Sequence, residues 1–423
     1  MKRIVTLLLA AGLVMGAYTG AQAADVKISG KWNFGFNFTD NLGYGEGEDD
    51  FEATQRLRLQ MDIIASENLK GVIFFEIGDQ TWGNVDKGGA LGADKCVVEV
   101  KRSYIDWTAP NSDLKVRMGI QGLTTPGAAF GSPLIDDDVA ALTLSYAVSD
   151  EFALTTFWAR LYDGLSDGDG NDEMDVFGLM APISMDGHKV TPYAIYSKIG
   201  ENAGKSDTSY IVGSDADAYW LGVAYTMSAF DPFTLKLDFI YGNLDAEDNT
   251  KDASGWLIDF KAAYALDMMT PAIIGWYASG DDKNDTESGI MPVISTADAW
   301  APTSFGYVGA AHTLDGNISD HGANGTWGLG IEIADISFVE DLSHVVRFVY
   351  VAGNNESDST GSAKQSSVYF TEDDSAIEID LNTKYKIYEN LTFLLELGYI
   401  NLDIESVDTE NAFKAGFNFI YSF

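Results

Sequence analysis

Six of the 26 Lys and Arg residues in this 423-residue chain, Arg56, Arg58, Lys101, Arg102, Lys115 and Arg117, fall in three candidate strands, the second, fourth and fifth. Cations stacked on one wall repel one another, and carboxylates opposite them would offset that cost. A narrow water-filled passage with cations on one side and anions on the other orients dipolar water. Hydrated solutes pass through such a field, whereas apolar solutes disturb it. The competing reading lets the arginines snorkel to lipid headgroups; their mid-strand positions on the polar face argue against it.

Other residue patterns offer less. "DGDGNDE", Asp167 to Glu173, begins like a calcium loop, but the sixth and twelfth positions are Asp172 and Gly178 where an EF-hand needs Gly and Glu. A solvated acidic loop is the better reading, with weak divalent-cation binding across several acidic loops left open. His188 and His344 fall at short turns, and His312 and His321 share one long loop. No HExxH, GxSxG or Cys/His metal spacing occurs, so neither an enzyme nor a cofactor is expected. The single cysteine, Cys96, excludes an internal disulfide and reads as a small buried filler.

These charges need elements to position them. "VKISGKWNFGFNFTD", Val26 to Asp40, is apolar or Gly at every even position through Phe38 and mostly polar at the odd ones. Such alternation makes a ribbon with one apolar and one wet face. Ala53 to Ala65 sets Leu57, Leu59, Met61 and Ile63 against Arg56, Arg58, Gln60 and Asp62. Tyr219–Met227, Phe233–Tyr241, Trp256–Tyr264, Trp327–Ile333, Ile377–Ile387 and Phe413–Phe423 repeat the scheme. Near Lys101 the phase slips: Val98 and Val100 share one register, Ile105 and Trp107 the other. A β-bulge explains the slip and leaves open which of Lys101 and Arg102 points inward.

The connections alternate in length. Short ones include "SENL" at Ser66, "APNSD" at Ala109, "VSDE" at Val148, "MDGH" at Met185, "ALDM" at Ala265 and "YEN" at Tyr388. Long ones span Asp40–Asp50, Gln80–Lys95, Gly122–Asp138, Asp163–Asp175, Gly200–Asp217, Asn243–Gly255, Gly280–Gly325 and Asn354–Ser375, most of them dense in Asp, Glu, Gly, Ser and Asn. Short turns at one end and long loops at the other describe a transmembrane antiparallel β-barrel. The pattern predicts about 18 strands, with 16 as the alternative, and both termini at the short-turn end.

Residues 1–23 carry Lys2 and Arg3, an apolar stretch from Ile4 to Ala17 and a small-residue cleavage site at Ala21-Gln22-Ala23. They predict a signal peptide, with residues 24–423 forming one barrel domain. The formal net charge is −38, and −40 once Lys2 and Arg3 leave with the signal. Nucleic acid is excluded as a partner, because phosphate binding requires a positive surface.

The third long loop, "GLTTPGAAFGSPLIDDD" from Gly122 to Asp138, differs from the rest. It holds Phe130 and Leu134 and no charge before Asp136. Apolar content suits a loop folded against the inner wall, so an inward-folded constriction loop is expected.

With that loop, "LKGVIFFEIGDQTWG" from Leu69, "VEVKRSYIDW" from Val98, "VRMGIQGLTTPGAAFGSP" from Val116 and the terminal "AGFNFIYSF" from Ala415, the chain resembles trimeric bacterial outer-membrane porins. It is most similar to the homotrimeric porins of sulfate-reducing bacteria. The motifs cover the first 140 residues and the last strand. The resemblance implies a general diffusion porin: a homotrimeric, cofactor-free, water-filled channel for small hydrophilic solutes and ions. Its setting is a Gram-negative outer membrane, among outer-membrane lipid and lipopolysaccharide. It implies a basic wall of Arg56, Arg58, Arg102, Lys115 and Arg117 facing the loop acids Asp136, Asp137 and Asp138, and an assembly signal in Tyr421 and Phe423. The porin signature Pro-Glu-Phe-Gly-Gly-Asp is absent from the third loop. A substrate-specific channel for sugars or organic anions, and a secreted calcium-dependent adhesin, remain as alternatives.

Overall fold

The computed structural model describes residues 24–41, 50–163, 172–203, 214–248, 252–282, 287–295, 300–303, 325–356, 370–405 and 410–423. The predicted signal peptide, His312, His321 and the Asp167 part of the acidic motif lie outside these residues. No helix occurs among the described residues.

Every described element is a strand. The first seven are β1 (Asp25–Asp40), β2 (Asp50–Ser66), β3 (Leu69–Thr81), β4 (Val98–Thr108), β5 (Leu114–Thr124), β6 (Asp136–Ala147) and β7 (Ala153–Tyr162). Then come β8 (Met174–Met180), β9 (Ile183–Met185), β10 (His188–Ile199), β11 (Ala216–Phe230), β12 (Phe233–Ala246) and β13 (Ala253–Tyr264). The last six are β14 (Thr270–Ala278), β15 (Thr326–Val339), β16 (Leu342–Gly353), β17 (Ser375–Tyr388), β18 (Leu391–Asp403) and β19 (Ala412–Ser422).

β8 and β9 both pair with β10 and are two halves of one stave, interrupted at Ala181-Pro182. Proline cannot donate to a ladder, and here the ladder is carried past it by Ala181 N–H on the Pro192 carbonyl (3.0 Å). Each stave pairs antiparallel with the next, giving an 18-stave ring. β1 closes the ring on β19, from Lys31 opposite Ser422 to Asp40 opposite Phe413. Closure leaves no unpaired edge, the condition for a sheet to span a bilayer. Beyond the end of β19, the Phe423 and Gly30 backbones exchange hydrogen bonds of 2.9 and 3.0 Å across the seam.

The period-two pattern sorts side chains as the sequence predicts. On β17, Ile377, Ile379 and Leu381 face outward while Glu378 and Asp380 are buried inside. Two aromatic belts ring the outer face. Trp107, Tyr146, Phe230, Tyr264, Phe338 and Tyr388 mark the short-turn end, and Trp158, Phe177, Tyr196, Tyr219, Trp256 and Trp327 the long-loop end. Within the second belt, Phe177 meets Tyr196 at 6.4 Å and Trp256 meets Tyr277 at 4.8 Å between ring centroids. A closed antiparallel barrel with an apolar band between aromatic girdles is built for the outer membrane.

Some boundaries differ from the sequence reading. β5 runs on to Thr124 and β6 begins at Asp136, so Asp136, Asp137 and Asp138 open a strand and are not loop residues. Ladder pairing with Thr124, Leu123 and Gly122 carries them into the wall. Cys96 is half-exposed in the β3–β4 connection and is not a buried filler, because no strand covers it there.

Candidate functional site

The inner face of β2 to β5 carries the basic residues singled out in the sequence. Arg58 donates to Glu76 of β3 at 2.5 Å, Arg56 lies 3.9 Å from the same carboxylate and 3.3 Å from Asp79, and Lys101 lies 3.9 Å from Glu76. Glu76 is thus an acidic hub for three cations. The predicted bulge is present: register slips between Phe74 and Phe75, which face Arg102 and Val100, so Lys101 is the extra residue. The bulge lets both basic side chains find acids, Lys101 at Glu76 and Arg102 at Asp138 (2.5 Å). Arg102 also lies over the Phe74 ring, 5.5 Å from its centroid. Gly122 leaves room for its guanidinium, since a Cβ there would meet its Cζ at 2.8 Å.

Arg117 forms a fork with Asp106 of β4, at 2.6 and 2.9 Å, and stacks 4.3 Å from the Tyr104 ring centroid. A bidentate, stacked guanidinium has a fixed orientation. Lys115 lines a cavity of about 790 Å³ that runs from the short turn at Glu67 along β5 to Thr124, shared with Lys27, Lys70, Asp62, Asp106 and Arg117. Asp136 accepts a hydrogen bond from Thr124 (2.6 Å), Asp137 from Ser295 (2.8 Å). Of the three acids, Asp138 is the one with an ion pair to the basic wall among the described residues.

The neutralising acids therefore belong largely to β3 and β4, within the wall itself. Lys31 was not foreseen as part of this group. It pairs in register with Arg58, and its even-odd phase on β1, opposite to that of Trp32, was the available signal.

On β15 to β19, which reach the basic wall through β1, a row of alternating charge follows paired positions. Lys414 of β19 leads through Gly398 to Asp380, then Arg347, then Glu332. Glu332 is held by Arg347 at 2.6 Å and Lys261 at 2.5 Å. Two connections cover this wall. From the third loop, Ala128 and Ala129 donate to Asp238 of β12, and Leu134 and Ile135 are fully buried. From the 280–325 connection, Met291, Ile294, Trp300 and Thr303 are buried, and the Pro292 carbonyl accepts from Trp220 at 2.6 Å. The stretch "IMPVI" at Ile290 has the apolar signature of the third loop, and that criterion would have found it.

Exposure differs between the cations of the two walls. The side chains of Arg58, Arg102 and Arg117 are 40%, 41% and 38% exposed and that of Arg56 22%, whereas those of Lys261 and Arg347 are 26% and 20% exposed and Lys414 is buried. Water reaches the β2–β5 wall; the β12–β19 wall is packed under loops.

Tyr421 and Phe423 stack at 5.7 Å on the outer face of the closing seam. His188 and His344 are hydrogen-bonded to Tyr225 and Thr383, each at 2.8 Å. Asp163, Asp172 and Glu173 bring carboxylate oxygens within 4.8 Å of one another at the edge of the acidic motif.

No protein-family model and no curated protein matches this sequence. Solved structures do. Acinetobacter baumannii OccAB3 superposes with a TM-score of 0.61 at 11% identity, over 94% of this chain and 99% of that one. Pseudomonas aeruginosa OprD gives 0.59 at 14%, over 96% and 97%. The P. aeruginosa outer membrane protein opdK gives 0.58 at 10%, over 94% and 98%. The chain is similar to these proteins in fold. It has the closed 18-strand barrel of outer-membrane channels.

Proposed function

We propose that the protein is a general diffusion porin: a passive, cofactor-free outer-membrane channel for small hydrophilic solutes and ions. The observation that carries this reading is the contrast between a half-exposed basic wall on β2–β5 and the buried inner face of β12–β19, covered by two connections. Together they leave a hydrated path along one side of a barrel too wide for its strand side chains to fill. Along that path Arg56, Arg58, Arg102, Lys115 and Arg117 set the field, with Glu76, Asp106 and Asp138 as counter-charges. Solutes are sorted by size and hydration, and no step requires a bond to form or break.

The homotrimer belongs to the same proposal and is supported by the sequence resemblance. Unheated protein in mild detergent should migrate at roughly three times its heated mass, and a monomer under every mild condition would contradict it. A substrate-specific channel is the second reading, favoured by the crowding of the interior by Leu134, Ile135 and Trp300. Solute uptake by proteoliposomes separates the two. Flux linear in concentration supports general diffusion, and saturating flux supports the specific channel.

A further inference from the structure

Asp238 and Asp259 stand directly opposite one another on β12 and β13, both buried on the inner face. Like charges paired across two strands destabilise a sheet, and a buried carboxylate is costly unless hydrogen-bonded. Wall packing alone gives no reason for the pair. Their partners do.

Both oxygens of Asp238 take the backbone N–H of Ala128, at 2.8 and 2.7 Å, and one also takes that of Ala129 at 2.7 Å. The Oδ2 atom of Asp259 accepts from the Trp300 indole at 2.6 Å. Ala128 and Ala129 belong to the third loop and Trp300 to the 280–325 connection. The two segments are joined as well: Ala301 N–H donates to the Phe130 carbonyl (3.0 Å), and Asp136 N–H to the Ser295 carbonyl (2.7 Å). The neighbouring carboxylates thus grip two segments that come from opposite halves of the chain and are themselves stitched together.

We propose that Asp238 and Asp259 are a paired anchor that fixes the bore of the channel. They are positioning residues, holding the loop assembly against β12–β13 and so setting its distance from the basic wall. The anchor rests on the channel reading above, but it makes a claim of its own. The solute-limiting width is determined on the side away from the arginines, by two side chains that no solute touches.

The test uses the full-length protein, purified in detergent, with Asp238→Ala and Trp300→Phe beside the parent. Trp300→Phe keeps an aromatic ring in the pocket and removes the indole donor to Asp259, together with part of the ring surface packed on Trp276. Hydrogen–deuterium exchange reads the anchor independently of conduction. The amides of Ala128 and Ala129 should exchange at least about tenfold faster in Asp238→Ala, the factor corresponding to one lost hydrogen bond to a charged group. In planar bilayers the parent should show a single quiet open level, and each variant should lose it and admit larger neutral polymers. Heat-modifiable migration identifies the folded barrel, and Trp300→Phe decides if Asp238→Ala does not fold. Parental exchange and parental traces in the folded variants would overturn the anchor. A parent that conducts nothing, with accelerated exchange in Asp238→Ala, would contradict the channel reading and leave the anchor standing.

Discussion

Asp106 grips the guanidinium of Arg117 with both oxygens from the adjacent strand of the same wall. The acid that offsets this arginine is therefore beside it and not across the bore. Asp106→Asn should leave Arg117 in place on Tyr104 while unmasking its charge. The reversal potential under a salt gradient should move towards anions by about a twofold change in permeability ratio, roughly 0.4 kcal/mol. An unchanged potential in a folded Asp106→Asn barrel would show that ions do not pass this pair.

Glu76→Gln should have a larger effect of the same sign, because Arg56, Arg58 and Lys101 share that carboxylate. The shift should shrink as salt rises, since the Debye length falls from about 8 Å at physiological ionic strength to about 3 Å at 1 M. Recordings at two salt concentrations check both the sign and the screening.

Much of the fold is legible in the sequence because a strand's side chains alternate with period two. That Trp32 and Arg58 take opposite faces, and that a bulge falls near Lys101 and Arg102, follows from phase; the outward assignment of Trp32 and the count of about 18 staves follow from the alternation of short and long connections. Register does not. Alternation tells which face a residue occupies, but not which residue lies opposite, because that depends on turn geometry at the ends. Hence sequence phase does not single out Glu76 and Asp106, one strand away from their cations, and it overstates the part of Asp136 to Asp138. The buried charges Lys414, Glu332 and Asp380 were hidden for a further reason. They lie on a wall that connections cover, and alternation does not tell which inner-face residues a connection will bury.

The seam between β1 and β19 offers a stability test. A Cβ at Gly30 would meet the Phe423 ring at 2.5 Å and the Arg58 carbonyl at 2.8 Å. Gly30→Val should displace that ring and lower the temperature at which the barrel unfolds, read by heat-modifiable migration. Phe423→Ala should keep Gly30 unstrained and instead reduce the amount assembled in cells. Normal assembly of Phe423→Ala would remove the terminal residue as an assembly signal.

Lipid-facing positions should respond differently from those in the lumen. Leu381 lies mid-strand on the outer face of β17, with Leu397 and Val346 as register partners. Leu381→Arg should cost about 2–4 kcal/mol of membrane stability at the bilayer midplane, measured as lost insertion into lipid vesicles. Insertion equal to that of the parent would mean that this face does not meet lipid.

The central claim is a water-filled path along the β2–β5 wall, and a planar-bilayer recording under a salt gradient tests it most directly. The parent should conduct ions, and the combined Arg56→Gln, Arg58→Gln and Arg117→Gln variant should insert normally and shift its reversal potential towards cations. A folded parent that conducts nothing, or a triple variant that conducts with the parental reversal potential, would contradict it.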